Sequence, residues 1–152
     1  MNQKVIDALN AARMRELGAV SQYLEQHYEL EDQMYGKLAD RLKDIGIQEM
    51  KHAEAFAERI LFLGGVPASK PDVVAQKGQS IAQMLQTDIG LEEAAILMYN
   101  DSAKLCRAEG DNASADLFED ILKQEEGHLD EFQNKADFVK DLGQAYLATL
   151  VE

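Results

Sequence analysis

Glu49 and His52, and again Glu125 and His128, pair a carboxylate with an imidazole three residues apart. On an α-helix, positions i and i+3 share a face. Both pairs interrupt faces that are otherwise apolar at helical spacing: Leu38, Leu42, Ile45, Phe56, Ile60 and Leu63 around the first, and Phe118, Ile121, Phe132, Ala136 and Val139 around the second. Two further helical segments each place one acid on the inward face, Glu16 and Glu92. Four carboxylates in a low-dielectric interior repel one another and are driven to protonate, so a bare cluster costs stability. Two divalent cations cancel the four charges. Oxygen and imidazole donors without thiolate suit iron or manganese, and six side chains leave coordination positions open to O2 or peroxide. The candidate metal ligands, which are also the candidate catalytic residues, are therefore Glu16, Glu49, His52, Glu92, Glu125 and His128. Glu49 and Glu125 are expected to bridge two metals, with Glu16 and Glu92 terminal.

Holding these residues together requires four long helices, expected over 3–34, 37–63, 79–107 and 111–142. Gly36 marks the first break, and Gly110 followed by Asp111 reads as a helix stop and a new N-cap. A short fifth helix is expected in QAYLATLV after Gly143. The stretch GGVPASKPDVVAQKG contains both prolines of the chain. Extended at about 3.3 Å per residue it can run the length of a helix of about 40 Å, so it serves as a crossover between parallel second and third helices. The expectation is an all-α, single-domain four-helix bundle over 1–152, with one long crossover.

A shift of 76 residues relates the halves. It carries Glu49 to Glu125, His52 to His128, Phe56 to Phe132, Glu16 to Glu92 and Tyr23 to Tyr99. On composition alone, two of three histidines following a Glu at this spacing would arise with a probability of roughly 3%. Two hairpins of one design, related by a pseudo-twofold axis, explain the coincidence better. Tyr23 and Tyr99, two turns beyond Glu16 and Glu92 on the same faces, read as core tyrosines with a bonded hydroxyl, with support of the ligands or a redox role as the alternative; His27 reads as an ordinary bundle histidine, and Cys106 as a small buried hydrophobe.

With 28 acidic and 15 basic residues the formal net charge is −13, which repels nucleic acid and attracts cations. No segment has the length of a membrane span or the pattern of a signal peptide, and a lone cysteine suits a reducing compartment. A cytoplasmic location is expected.

The segments RELGAVSQYLEQHY, QEMKHAEAFAERILFLGGVP and KQEEGHLDEF resemble the bacterioferritins, the haem-containing branch of the ferritins, over nearly the whole chain. The resemblance implies that the six residues form a di-iron ferroxidase centre oxidising Fe2+ with O2 or H2O2. It implies iron storage as ferric mineral inside a 24-subunit shell built from twofold dimers, with the final helix at a fourfold axis. It also implies that Met50, turned about 100° from Glu49 and so out of the bundle, is a haem axial ligand shared between two subunits. A ferredoxin-like protein would supply electrons for iron release. Asp44 and Gln48 stand where some bacterioferritins carry a histidine and an aspartate that form an inner-surface iron site, Phe56 where some have tyrosine, and Glu131 where some have tryptophan, so the resemblance carries over no electron route from mineral to the centre. The rival readings are a rubrerythrin-like di-iron peroxidase, against which the single cysteine speaks, a DNA-protecting mini-ferritin, which holds its metal between subunits, and a metal-free helical interaction protein.

Overall fold

The computed structural model describes residues 2–152, and its element order is α1 (Gln3–Asp32), α2 (Gly36–Phe62), α3 (Ile81–Ala108), α4 (Asn112–Leu142) and α5 (Gln144–Ala148). The starts of α1, α3 and α4 are capped by side chains, as their sequences dictate. Asn2 and Asp111 accept from the backbone N–H groups of Val5 and Ser114, and Ser80 and Gln83 form a reciprocal capping box. Three helices stop in the same way. The chain turns through a left-handed residue, and the amides of that residue and the one after it bond back to the last turn: Gly64 and Gly65 after α2, Gly110 and Asp111 after α3, Met34 and Tyr35 after α1. The first break therefore falls at Met34, with φ 69°, and Gly36 is the first residue of α2 instead of the breaker.

Cross-helix contacts fix the directions. His27 of α1 reaches the Ala39 carbonyl of α2, and Arg13 reaches that of Ala53, so α1 and α2 are antiparallel. Tyr23 pairs with Glu92 and Tyr99 with Glu16, so α1 and α3 are antiparallel, which leaves α2 and α3 parallel as expected. The connecting segment runs along α1. Asn10 exchanges hydrogen bonds with Val66 and Ala68, Met14 accepts from the Asp72 amide, Gln22 clasps Gln76 through both amide atoms, and Glu29 accepts from the Gly78 amide. Arg15 pairs with Asp72 at 2.9 Å.

The apolar interior is split. One cluster holds Val5, Leu9, Phe56, Tyr99, Phe118 and Ile121, and the other Tyr23, Leu42, Ile45, Ile81, Leu85 and Phe132. The 76-residue shift exchanges them: Val5 becomes Ile81, Leu9 becomes Leu85, Phe56 becomes Phe132, and Leu42 becomes Phe118. Between them lies a polar layer. Each cluster buries enough large side chains, at about 1.5–3 kcal/mol apiece, to hold its end of the bundle.

At Gly18 a methyl group would meet Asp72 Oδ1 at 2.6 Å and Val73 Cγ2 at 2.9 Å. Gly18→Leu should therefore lift the crossover from α1 at a cost of about 1–3 kcal/mol. Limited proteolysis should show faster cleavage between residues 66 and 78 in the variant, with helical content unchanged by circular dichroism.

Candidate metal centre

The polar layer contains all six residues singled out by spacing, and each is 5% or less exposed. Helix α1 supplies Glu16, α2 supplies Glu49 and His52, α3 supplies Glu92, and α4 supplies Glu125 and His128. His52 Nδ1 lies 3.0 Å from Glu125, 3.4 Å from Glu49 and 3.5 Å from Glu16. His128 Nδ1 lies 3.1 Å from Glu49, 3.6 Å from Glu125 and 3.7 Å from Glu92. Two four-residue groups result, Glu16–Glu49–His52–Glu125 and Glu49–Glu92–Glu125–His128, and within each the donor atoms lie within 4.8 Å of one another. Glu49 and Glu125 belong to both. That is the layout of two neighbouring cation positions with a pair of shared carboxylates.

Buried polar atoms are normally satisfied. Here Glu16 Oε2, Glu49 Oε1, His52 Nδ1, Glu92 Oε2, Glu125 Oε1 and His128 Nδ1 all lack a hydrogen-bond partner. One unpartnered atom from each of the six residues, all oxygen or imidazole nitrogen, fits a pair of divalent cations.

The remaining atoms of these side chains are held in place. Tyr99 donates to Glu16 Oε1 at 2.5 Å and Tyr23 to Glu92 Oε1 at 2.6 Å, so each outer carboxylate has one oxygen tied and the other free. Burial, reinforced by those carboxylates, pushes both phenols well above their usual range and keeps them as donors. One turn from Glu92, Gln26 donates to the buried Asp88 at 2.7 Å, extending the polar layer. His52 Nε2 meets Gln124 Oε1, and His128 Nε2 meets Gln48 Oε1, both at 2.7 Å. Sequence reasoning missed the two glutamines as partners of the site. The signal was present, because the pattern D-I-x-x-Q-E-x-x-H occurs twice in the same register, at 44–52 and 120–128.

Other singled-out residues lie elsewhere. His27 bonds the Ala39 carbonyl at 2.6 Å and Glu31 at 3.2 Å, bridging α1 to α2 without joining the cluster. Met50 sits on the outer side of α2, 41% exposed. Phe56 packs against Tyr99 and Phe118 at 5.7 and 5.2 Å. Glu131 takes both branches of the Arg41 guanidinium and the Lys135 ammonium, and these bonds, Arg41 first, hold its carboxyl down at about 2.

Electrostatics show what the cluster does without metal. Burial first, then the neighbouring Glu125, pushes Glu16 up to about 7; burial, Glu16 and Glu92 push Glu49 to about 7; burial and Glu125 push Glu92 to about 8. Burial opposes charge on the imidazoles, but the surrounding carboxylates outweigh it, raising His52 far above its ordinary value and His128 to about 12. Protons thus stand in for cations.

A helical bundle with this arrangement defines the class of ferritin-like di-metal carboxylate proteins. Residues 6–141 match the family model of the ferritin-like domain. The bacterioferritin of Desulfovibrio desulfuricans is 44% identical over 147 residues, covering 97% of this chain and 82% of that protein, and the bacterioferritin of Brucella melitensis is 36% identical over 141 residues, covering 93% and 88%. The chain belongs to the bacterioferritin family. Among solved structures, the D. desulfuricans bacterioferritin, described with its diiron site in different catalytic states, superposes with a TM-score of 0.96 at 43% identity, covering 98% of this chain and 87% of that one. The Rhodobacter capsulatus bacterioferritin, described with a metal-free dinuclear site and a haem iron in a crystallographic special position, also gives 0.96, at 33% identity with 100% and 96% covered. Among the described residues, no helix is long and apolar enough to cross a membrane.

The raised groups give a pH dependence of definite sign. The carboxyls contribute stability that is full below their unfolded value of 4.5 and is lost as pH rises through about 7–8; the imidazoles' contribution is full below 6.5 and falls from there on, through neutral into alkaline pH. Both slopes are negative between pH 6 and 8, while the depressed Glu131 acts below pH 4.5. Metal-free protein should therefore melt at lower temperature at pH 8 than at pH 6, and the gap to protein loaded with a divalent cation should widen over the same range, because fewer protons remain to be displaced. Paired thermal melts at the two pH values measure both effects.

Proposed function

We propose that this chain is an iron-storage ferroxidase. Its six clustered residues take up two Fe2+ ions and release Fe3+ for storage as mineral. The observation that carries the reading is the set of six buried, unpartnered donor atoms arranged as two groups that share Glu49 and Glu125. Glu16 and His52 would hold one ion, Glu92 and His128 the other, and Glu49 and Glu125 would bridge. Bound as a pair, two ferrous ions supply the two electrons that reduce O2 to H2O2, or H2O2 to water. The protein's part is positional and electrostatic. Glu49 and Glu125 would set the spacing of the ions, Tyr23 and Tyr99 tie one oxygen of each outer carboxylate and leave the other free, and the apolar clusters flank the layer on both sides. Protons held by the cluster leave as ferrous ions enter.

In this reading the chain assembles through twofold dimers into a 24-subunit shell whose cavity receives the ferric product. Met50 presents an exposed thioether one turn from exposed Ile47, which suits a haem shared by Met50 of two copies, as does the special position of the haem iron in the R. capsulatus protein. A ferredoxin-like reductant would return electrons for release. The buried free thiol of Cys106 fits the cytoplasm.

Anaerobic Fe2+ titration followed by oxidant should show two irons oxidised per chain. Glu125→Ala removes a shared ligand and should slow oxidation by at least about 100-fold, beyond the effect typical of outer partners. An unchanged rate would contradict the assignment. Met50→Leu should abolish the haem spectrum and leave the initial oxidation rate within about twofold of the parent, since its side chain lies outside the cluster.

A further inference from the structure

Gln48 and Gln124 are arranged crosswise. Gln48, on α2, meets His128 of α4, while Gln124, on α4, meets His52 of α2, each at 2.7 Å. Each glutamine directly precedes the shared carboxylate of its own helix, Glu49 or Glu125, yet bonds the imidazole of the opposite helix. The two contacts exchange under the 76-residue shift, so they are one device used twice. Both Nδ1 atoms, on the inner edges of the rings, remain without partners and face carboxylate oxygens.

We propose that Gln48 and Gln124 are positioning residues for metal uptake: each amide oxygen accepts the Nε2–H of the opposing imidazole and thereby keeps that ring's Nδ1 directed at Glu49 and Glu125. The inference rests on the di-metal reading above. Its chemistry is that of the neutral imidazole, which carries one N–H and one lone pair. An acceptor at Nε2 places the proton there and leaves the lone pair at Nδ1, whereas an amide turned the other way would donate to Nε2, move the proton to Nδ1 and block ligation. An outer partner of this kind typically changes metal affinity by about 10–100-fold. Gln124 is exposed and Gln48 half-buried, so neither fills the core. The crosswise pairing also divides the labour: Gln124 serves the half-site of Glu16 and His52, and Gln48 that of Glu92 and His128.

Anaerobic Co2+ titration of the full-length protein, followed by ligand-field absorption, tests this without turnover. The parent should bind two Co2+ per chain. Gln48→Leu and Gln124→Leu should each weaken one of the two binding events by about 10–100-fold, with circular dichroism unchanged, and Gln48→Glu, which retains an acceptor oxygen, should stay within about threefold of the parent. In a His128→Ala background, Gln48→Leu should have no further effect on the remaining Co2+ site while Gln124→Leu still weakens it, since removing one partner of a contact silences the other. Equal effects of the two leucine substitutions in that background, or parental affinity in both single variants, would overturn the inference and leave the di-metal reading standing. A parent that takes up no pair of Co2+ ions would overturn both.

Discussion

Mutual repulsion among four buried carboxylates is the constraint around which this molecule is arranged. Glu16, Glu49, Glu92 and Glu125 are each 1% exposed, and nothing apolar nearby can compensate their charge. Only positive charge can, whether protons on the carboxyls and imidazoles or cations between them. The acids sit on four different helices, so every helix must arrive at the same level of the bundle with the correct face inward. Caps, turns and crossover all serve that convergence.

The apolar clusters above and below supply the stability that the polar layer consumes. Because they flank the layer, the bundle ends are held by ordinary packing while the middle keeps unsatisfied atoms, and Tyr23 and Tyr99 join the two regimes. Each ring is buried in an apolar cluster, and each hydroxyl binds an outer carboxylate. The hydroxyls thus link packing to site geometry: a shift of either ring within its cluster moves an outer carboxylate.

What could be read from the sequence was periodic. Helical spacing placed Glu49, His52, Glu125 and His128 on inward faces, and the internal repeat brought in Glu16 and Glu92, because a face and a register are local properties of the chain. Contacts between elements were less legible. The bonding of the crossover along α1 depends on Gly18 having no side chain and on the Gln22–Gln76 clasp, which pairs residues 54 apart with no periodic mark. The first turn falls at Met34, although a neighbouring glycine offered the easier left-handed residue. The roles of Gln48 and Gln124 are not legible along a single helix, because each glutamine bonds a histidine of the other hairpin.

The exchange of the two halves under a single shift makes the two donor groups near replicas, down to their tyrosine and glutamine supports. Whatever would make one group take a cation before the other must then come from the places where the replicas part company, above all the buried Gln26–Asp88 pair one turn from Glu92, whose counterparts on the Glu16 side are Ser102 and Ala12. Such inequivalent neighbours, outside the six clustered residues, are where an order of loading would be written.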